Sequence, residues 1–499
     1  MKNLKLIMLL IVTVFSFACT KLEQNQRGAL NIESSSVNPA GLLQSAYESL
    51  NNPIQDQSRF WAASEHTTDE AVGPTRGPDW DDNGVWRVLH SHSWNADHGF
   101  LRDTYRELLQ TQFAASSVLD KSPSAQQAAE ARFIRAYSTF CVLDGWDQVP
   151  FRSDLSDLKK LPETKKGAEA ADFIISELNA IINDLPASSI IKANKNAARA
   201  LLMKLYLNKG VYANRAAPTF AAADMNQVIA LADQITGYSI TPNFYDNFSP
   251  DNSAKSTEII WALENTNGVR GGNMQSRWYC TLHYNQKPSG WNGFTTLSDF
   301  YDKFEASDKR RGDTYTGVTN VSGLRVGLLV GQQFDENGVA LKDRSGAPLS
   351  FTREVKLKET GSNLEVTGIR VIKYPPDYIK ENSSENEYVV FRYADVLLMK
   401  AEALLRTGNA AGGLTIVNQI RAARGATPLA SLTADNLLDE RGRELYWEGW
   451  RRNDLVRFGK FLNAWQEKAA STAERLLFPI PNEQLAVNPN LTQNPGYNK

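Results

Sequence analysis

The sequence predicts a mainly α-helical protein, a tetratricopeptide-like scaffold of helix hairpins with long loop-rich, partly β insertions that form the ligand face. Three observations predict it. Apolar residues recur at spacings of three and four in two blocks, mainly 100–240 and 390–460. Gly and Pro punctuate the ends of these stretches. The segments between them, mainly 51–100 and 241–390, lack that period and are rich in Gly, Asn, Asp, Pro and aromatic residues.

The elements follow in order. Phe133, Tyr137 and Phe140 line one helix face. Ile174, Leu178, Ile181 and Leu185 line another, closed by Pro186. Helical stretches at 197–208 and 222–235 complete the first block. In the second, Leu397, Ala401 and Leu404 precede Gly408, then come Leu414, Val417 and Ile420, then 438–445. Short connections between helices of this length favour antiparallel pairs, and several pairs in a row favour a stack. The runs 258–263 and 368–374 read as short strands. Loops as long as those between the blocks usually carry function, so the helices read as scaffold and the loops as working surface.

The N-terminus is a separate segment. Lys2 and Lys5 precede an apolar run at 6–15, too short to span a bilayer and suited to a signal peptide over 1–18. The run ends at Ser16-Phe17-Ala18-Cys19, which resembles a bacterial lipobox with Cys19 as the acylated first mature residue. Residues 19–38 then form a lipidated flexible tether, and 39–499 the folded domain. Of the other cysteines, Cys141 lies in an apolar helical stretch and reads as a small buried hydrophobe. The formal net charge of -2 argues against a nucleic-acid partner.

Several motifs resemble the SusD/RagB family of outer-membrane nutrient-binding lipoproteins. Arg392-Tyr393-Ala394-Asp395-Val396-Leu397-Leu398-Met399 is similar to one family signature. Glu440-Arg441-Gly442-Arg443-Glu444-Leu445, followed by Gly449-Trp450-Arg451-Arg452-Asn453-Asp454-Leu455, is similar to another. Asn488-Pro489-Asn490-Leu491 through Gln493-Asn494-Pro495-Gly496-Tyr497 resembles the family tail. Charged members of these motifs, Arg392, Asp395, Arg421, Arg443, Glu444 and Asp454, sit beside apolar helix faces and read as inter-helix ion pairs and caps. The resemblance implies a lipid-anchored outer-membrane protein facing the cell exterior. It would capture an oligosaccharide or polysaccharide for a SusC-like TonB-dependent transporter, with no catalysis, cofactor or metal. Peptide binding within the same family, or a glycoside hydrolase, are the alternatives.

The candidate site comes from two aromatic loops. Trp61, Trp80, Trp86 and Trp94 fall in one short region with Arg76, Asp79, Asp81 and Asp82. Indole faces suit the C–H faces of sugar rings, and neighbouring carboxylates and Arg can bond hydroxyls. At least two of these four Trp residues are expected in the core. Trp80, flanked by Pro78, Asp79, Asp81 and Asp82, is expected at the surface. The second loop holds Trp278, Tyr279, His283, Tyr284 and Trp291. Trp80 and one of Trp278 or Trp291 are expected in one groove, with Tyr279 in its aromatic wall, Asp81 or Arg76 at its edge, and Arg370 as a polar contact. Residues 79–84 open like a calcium loop, but Arg87 and His90 occupy later ligand positions and spoil it. His90, His92 and His98 read as loop packing. No P-loop, dinucleotide fingerprint or nucleophile elbow is present in the sequence.

Overall fold

The computed structural model describes residues 38–497. Cys19 and the leader lie outside the described residues, as does all of the tether except Asn38. The architecture is mostly helical with small sheets only. It opens on α1 (Pro39–Gln55), a helix not anticipated, and two short helices, α2 (Phe60–Glu65) and α3 (Val85–His90). The first block then forms α4 (Gly99–Leu119), α5 (Ala125–Trp146), α6 (Gly167–Ile181), α7 (Lys195–Ala213) and α8 (Ala222–Asp233). After the one-turn α9 (Ser276–Tyr279), the second block forms α10 (Tyr393–Arg406), α11 (Ala410–Ala423), α12 (Ala434–Leu445) and α13 (Arg451–Arg457).

Local chemistry sets these boundaries. Ser124 and Gln127 form a capping box at the start of α5, and Thr433 with Asn436 does the same for α12. Asn194 accepts from the amides of Asn196 and Ala197, each at 2.9 Å, to open α7. Gly408, at φ 87°, lets the chain turn out of α10 into α11.

Each long helix buries one stripe against the next. Thus α1 packs on α4, α4 on α5, α5 on α6, α6 on α7, α7 on α8, and α8 on α10, which pairs with α11. The stripe of α6, including Ile174, Leu178 and Ile181, is buried. Each such Leu or Ile contributes about 1.5–3 kcal/mol over an exposed position. On α10 the buried face runs through Leu398, Met399, Ala401 and Ala403. The expected stripe lies along its edge: Ala401 is buried, whereas Leu397 and Leu404 are half-buried, with Leu397 packed against the cluster of Leu398, Val417, Ile420 and Leu437.

The β elements are small pairings, antiparallel except for a two-residue parallel pair of Thr75–Arg76 with Lys358–Glu359. Strand β1 (Gln148–Phe151) pairs with β2 (Glu163–Lys166). The expected run 258–263 contains β3 (Ile259–Leu263), and 368–374 contains β6 (Arg370–Ile372). β3 pairs with β7 (Tyr388–Arg392), the strand that leads into α10. β6 flanks β5 (Val326–Leu329), whose other edge takes β4 (Gly312–Asp313).

The charged family motifs form a buried network. Arg392 donates to Glu258, Glu444 and Glu448 at 2.9, 2.7 and 2.8 Å. Glu444 also receives Arg310 and Arg424, both at 2.8 Å. Asp395 meets Lys204 and Arg441 at 2.7 and 2.9 Å, and Asp454 meets Arg441 and Arg457 at 2.8 and 2.6 Å. Arg421 and Arg443 both reach Glu440 at 2.7 Å. These groups tie the strand ends, α7 and the last helices together. Removing one member strands a buried charge, which is how such a network fixes helix register.

Candidate functional site

The two aromatic loops meet. The indole N–H of Trp80 donates to the carbonyl of Trp291 at 2.8 Å. Trp80 ends a tight turn in which Arg76 and Asp79 exchange main-chain hydrogen bonds of 2.9 and 3.1 Å, and its φ of 59° lies in the left-handed region. Its ring covers Gly293 so closely that a Cβ there would lie 2.3 Å from Cε2, which requires glycine. Beneath it lies a packed aromatic floor. Phe294 is 5.0 Å from the Trp80 ring and Trp86 5.8 Å, with Trp61 and His66 deeper. Trp80 is therefore half-buried, and Trp61, Trp86 and Trp94 belong to the core.

Trp291 is the exposed ring of the site, at 43%. It stacks on Tyr279 with centroids 5.3 Å apart and planes 17° off parallel. Tyr279 is buried behind it, and its hydroxyl donates to Glu381 Oε1 at 3.0 Å. Burial, with the Glu381 carboxylate beside it, raises the pKa of that phenol well above its ordinary value, so it stays protonated and donating. Next to this pair, Tyr284 donates to Asp79 Oδ2 at 3.1 Å and carries the Arg344 guanidinium 3.8 Å above its ring. Asp81 is partly exposed and its Oδ1 receives Arg87 at 2.5 Å, a hydrogen bond that holds its carboxyl below the usual range. The result is a platform whose open face is the Trp291 indole, with the half-buried Trp80 hydrogen-bonded to its carbonyl and Asp79 and Asp81 on either side of Trp80 in sequence.

Three expected ligand contacts are corrected by burial. Trp278 is fully buried one position before Tyr279, because α9 turns it into the core. Arg76 is 3% exposed and donates to the carbonyls of Asn292, Gly293 and Thr367. Arg370 is fully buried and donates to Asn292 Oδ1 at 2.7 Å and to the carbonyls of Thr367 and Glu365 at 2.7 and 2.9 Å. Irregular loops leave main-chain carbonyls without partners, and these guanidiniums supply the donors. Burial lowers both, Arg76 to about 10, and on Arg370 the nearby Arg76 charge adds to the effect.

Other loop residues have structural partners. Asp82 accepts from the Trp86 indole at 2.8 Å. The ring nitrogens of His90, His92 and His98 meet carbonyls of Gln466, Thr67 and Val85 at 3.0, 2.8 and 3.0 Å. Cys141 and Cys280 are buried free thiols. Arg344, Glu381 and Asn382 belong to the platform but were not anticipated, since they come from distant turns with no local signal; Asp79 was already named with the first aromatic loop.

Comparison with known proteins agrees with this architecture. Residues 257–474 match the model of the SusD family. The chain is 28% identical to the starch-binding protein SusD of Bacteroides thetaiotaomicron, over 74% of this chain and 73% of that one. It is 24% identical to the SusD-like protein P38 of Formosa agariphila, over 77% and 78% of the two chains. Among solved structures, a laminarin-binding SusD-like protein superposes with a TM-score of 0.69 at 19% identity, covering 92% of this chain and 99% of its own. A SusD superfamily protein from Parabacteroides distasonis gives 0.70 at 19% identity, covering 92% and 98%. The likeness to the SusD family model lies in residues 257–474, and the chain as a whole shares the fold of the SusD superfamily structures.

Proposed function

We propose that the protein is a cell-surface lipoprotein that captures oligosaccharide on the Trp80–Trp291 platform and hands it to a SusC-like TonB-dependent transporter, without catalysis of its own. The observation that carries the reading is Trp291, an exposed indole held flat by Tyr279 and hydrogen-bonded through its carbonyl to Trp80, which Asp79 and Asp81 flank in sequence. Rigid aromatic faces with polar groups at their edges bind sugar rings. Support comes from the relative named for starch binding and the neighbours named for laminarin binding. Cys19 would anchor the chain to the outer membrane, with residues 20–38 as its tether.

Isothermal titration with malto- and laminari-oligosaccharides, and with oligopeptides of similar size, tests the assignment. Trp291→Ala is expected to weaken oligosaccharide binding at least tenfold, about 1.4 kcal/mol, while leaving the circular dichroism spectrum unchanged. Undiminished sugar binding would remove the platform from the proposal. Binding of peptides alone, or hydrolysis of the sugars by pure protein, would overturn the functional reading.

A further inference from the structure

A polar cleft of about 320 Å³ opens beside the platform. One wall is the turn through Arg270 and Gly271, the other the segment through Asn382 and Ser383, and Asn265 and Gln275 also line it. The walls are joined where the Gly268 amide donates to Ser383 Oγ at 3.0 Å. The cleft is rigidly built. Gly272 lies so close to α1 that a Cβ there would stand 2.5 Å from the Asn51 carbonyl oxygen. Asn273 donates to Asp56 and Gln57 at 3.0 and 2.7 Å, and Arg270 to Glu48 at 3.1 Å. Its volume falls at the lower end of the roughly 300–1,000 Å³ typical of small-molecule sites.

Two features point to a ligand. Asn265 is 3% exposed, yet its Oδ1 has no hydrogen-bond partner. Asn265 lines the cleft beside Gly271, and its Oδ1 lies 3.7 Å from the position a Cβ on Gly271 would take. Buried amide oxygens are rarely left unpaired. The second feature is continuity with the platform. Gln275 immediately precedes α9, and Tyr279, which backs Trp291, is its last residue. Four residues of helix advance the chain about 6 Å. Asn382 bridges the gap, its carbonyl receiving Gln275 at 3.3 Å and its Oδ1 receiving the Tyr279 hydroxyl at 3.3 Å.

We propose that this cleft is an extension subsite, in which a glycan lying on Trp291 continues past Asn382 and places further rings of a neutral sugar between Gly271 and Ser383. The inference rests on the glycan-binding reading of the platform. Neutrality follows from the charges. Arg270 is the single cation among the lining residues, and it is already engaged by Glu48 and Glu264. Glu387 accepts from the main-chain N–H of Asn265 at 2.8 Å, and burial pushes its carboxyl up to about 7, so it adds no firm charge. An anionic sugar would find no unpaired cation among the lining residues, whereas hydroxyls can use their amide and hydroxyl partners.

The test is titration of the full chain with malto- and laminari-oligosaccharides of two to seven units. The unmodified protein should bind the longer members of one series at least tenfold more tightly than its disaccharide. Gly271→Phe fills the cleft from an exposed position whose Cβ meets nothing but Asn265 Oδ1 at 3.7 Å. It should erase the gain with length and leave disaccharide binding unchanged. Gln275→Ala, which keeps the backbone of the turn, should reduce the same gain. Oligogalacturonates of equal length should bind at least tenfold more weakly than the neutral chains. Full retention of the length gain in both variants, its absence in the unmodified protein, or equal binding of oligogalacturonates overturns the inference while leaving the platform standing. Wild-type binding by Trp291→Ala at every length overturns the platform reading, and the extension with it.

Discussion

The indole of Trp80 and the main-chain carbonyl of Trp291 are joined by a 2.8 Å hydrogen bond across 211 positions of sequence. One ring is thereby fixed by the backbone that presents the other. On the proposed platform, Trp80 would act as a positioning residue as much as a contact. Trp80→Phe, which retains a ring over Gly293 but loses the N–H, should cost about 0.5–1.5 kcal/mol of stability. It should also weaken oligosaccharide binding less than Trp291→Ala does. Trp80→Ala should destabilise by about 1–3 kcal/mol, below the range for a fully buried Trp. Urea denaturation measures both variants, and a Trp80→Ala protein of unchanged stability would contradict the packing described.

Arg370 offers a second check. Its guanidinium satisfies Asn292 Oδ1 and two carbonyls from within the core. Arg370→Ala should cost about 2–4 kcal/mol, because charge-assisted hydrogen bonds are lost and their acceptors stay buried. Oligosaccharide affinity should fall as well, although the residue touches no solvent. If affinity survives that loss of stability, Arg370 does not hold the Trp291 turn.

How much of this was legible in the sequence differs by element. The helix faces of the first block were, because spacing identifies them, whereas on α10 the expected stripe lies at the edge of the buried face. α1 carries the same signal in Leu43, Ala46, Leu50 and Ile54, but lies in a stretch whose polar content reads as connection. Trp80 was expected to share a groove with Trp278 or Trp291 from their Gly- and Asp-rich setting, and a hydrogen bond joins it to the Trp291 main chain. Trp278 was not separable from Tyr279, since neighbours on one helical turn differ only in which direction the core lies. Arg76 and Arg370 have the residue type of ligand contacts, yet the demand for donors came from the loop's own carbonyls. Asn382 and Arg344 reach the platform through tertiary folding alone.

The buried network predicts a contrast between two charge removals. Glu444→Gln strips the carboxylate shared by Arg310, Arg392 and Arg424. It should destabilise by about 3–5 kcal/mol. Arg353→Ala breaks an exposed pair with Asp302 and should change stability by less than about 1 kcal/mol. Guanidinium titrations of the two variants, each against the parent, decide the matter, and similar losses would refute the burial argument.

Acid should destabilise the protein in two stages. Burial holds His66 neutral down to about 3 and His92 to about 2. Below about 6.5 the unfolded chain binds these protons and the native state does not, so stability falls with falling pH. Glu402 and Glu440 are depressed to about 2; burial opposes that shift, and the arginines around them outweigh it. Their contribution is complete above about 4.5 and is lost as pH drops toward 2. His66→Phe removes one group of the first stage. Its stability relative to the parent should be higher at pH 5 than at pH 7.5, and an identical difference at both pH values would exclude His66 from the effect.

The anchor is tested independently of the fold. Cys19→Ala should move the protein from the membrane fraction to the soluble fraction while its melting temperature after extraction stays the same. Retention of the variant on membranes in high salt would rule out acylation at Cys19.

The grips of Arg76 and Arg370 fall chiefly on main-chain oxygens, at Asn292, Gly293, Thr367 and Glu365. A carbonyl is common to every amino acid, so such a grip is blind to the side chain it carries. The ring at position 291 can therefore be exchanged by mutation without releasing the turn beneath it. Support is thus separate from the side chain displayed, which leaves the tips of these loops free to vary while the helical frame stays unaltered.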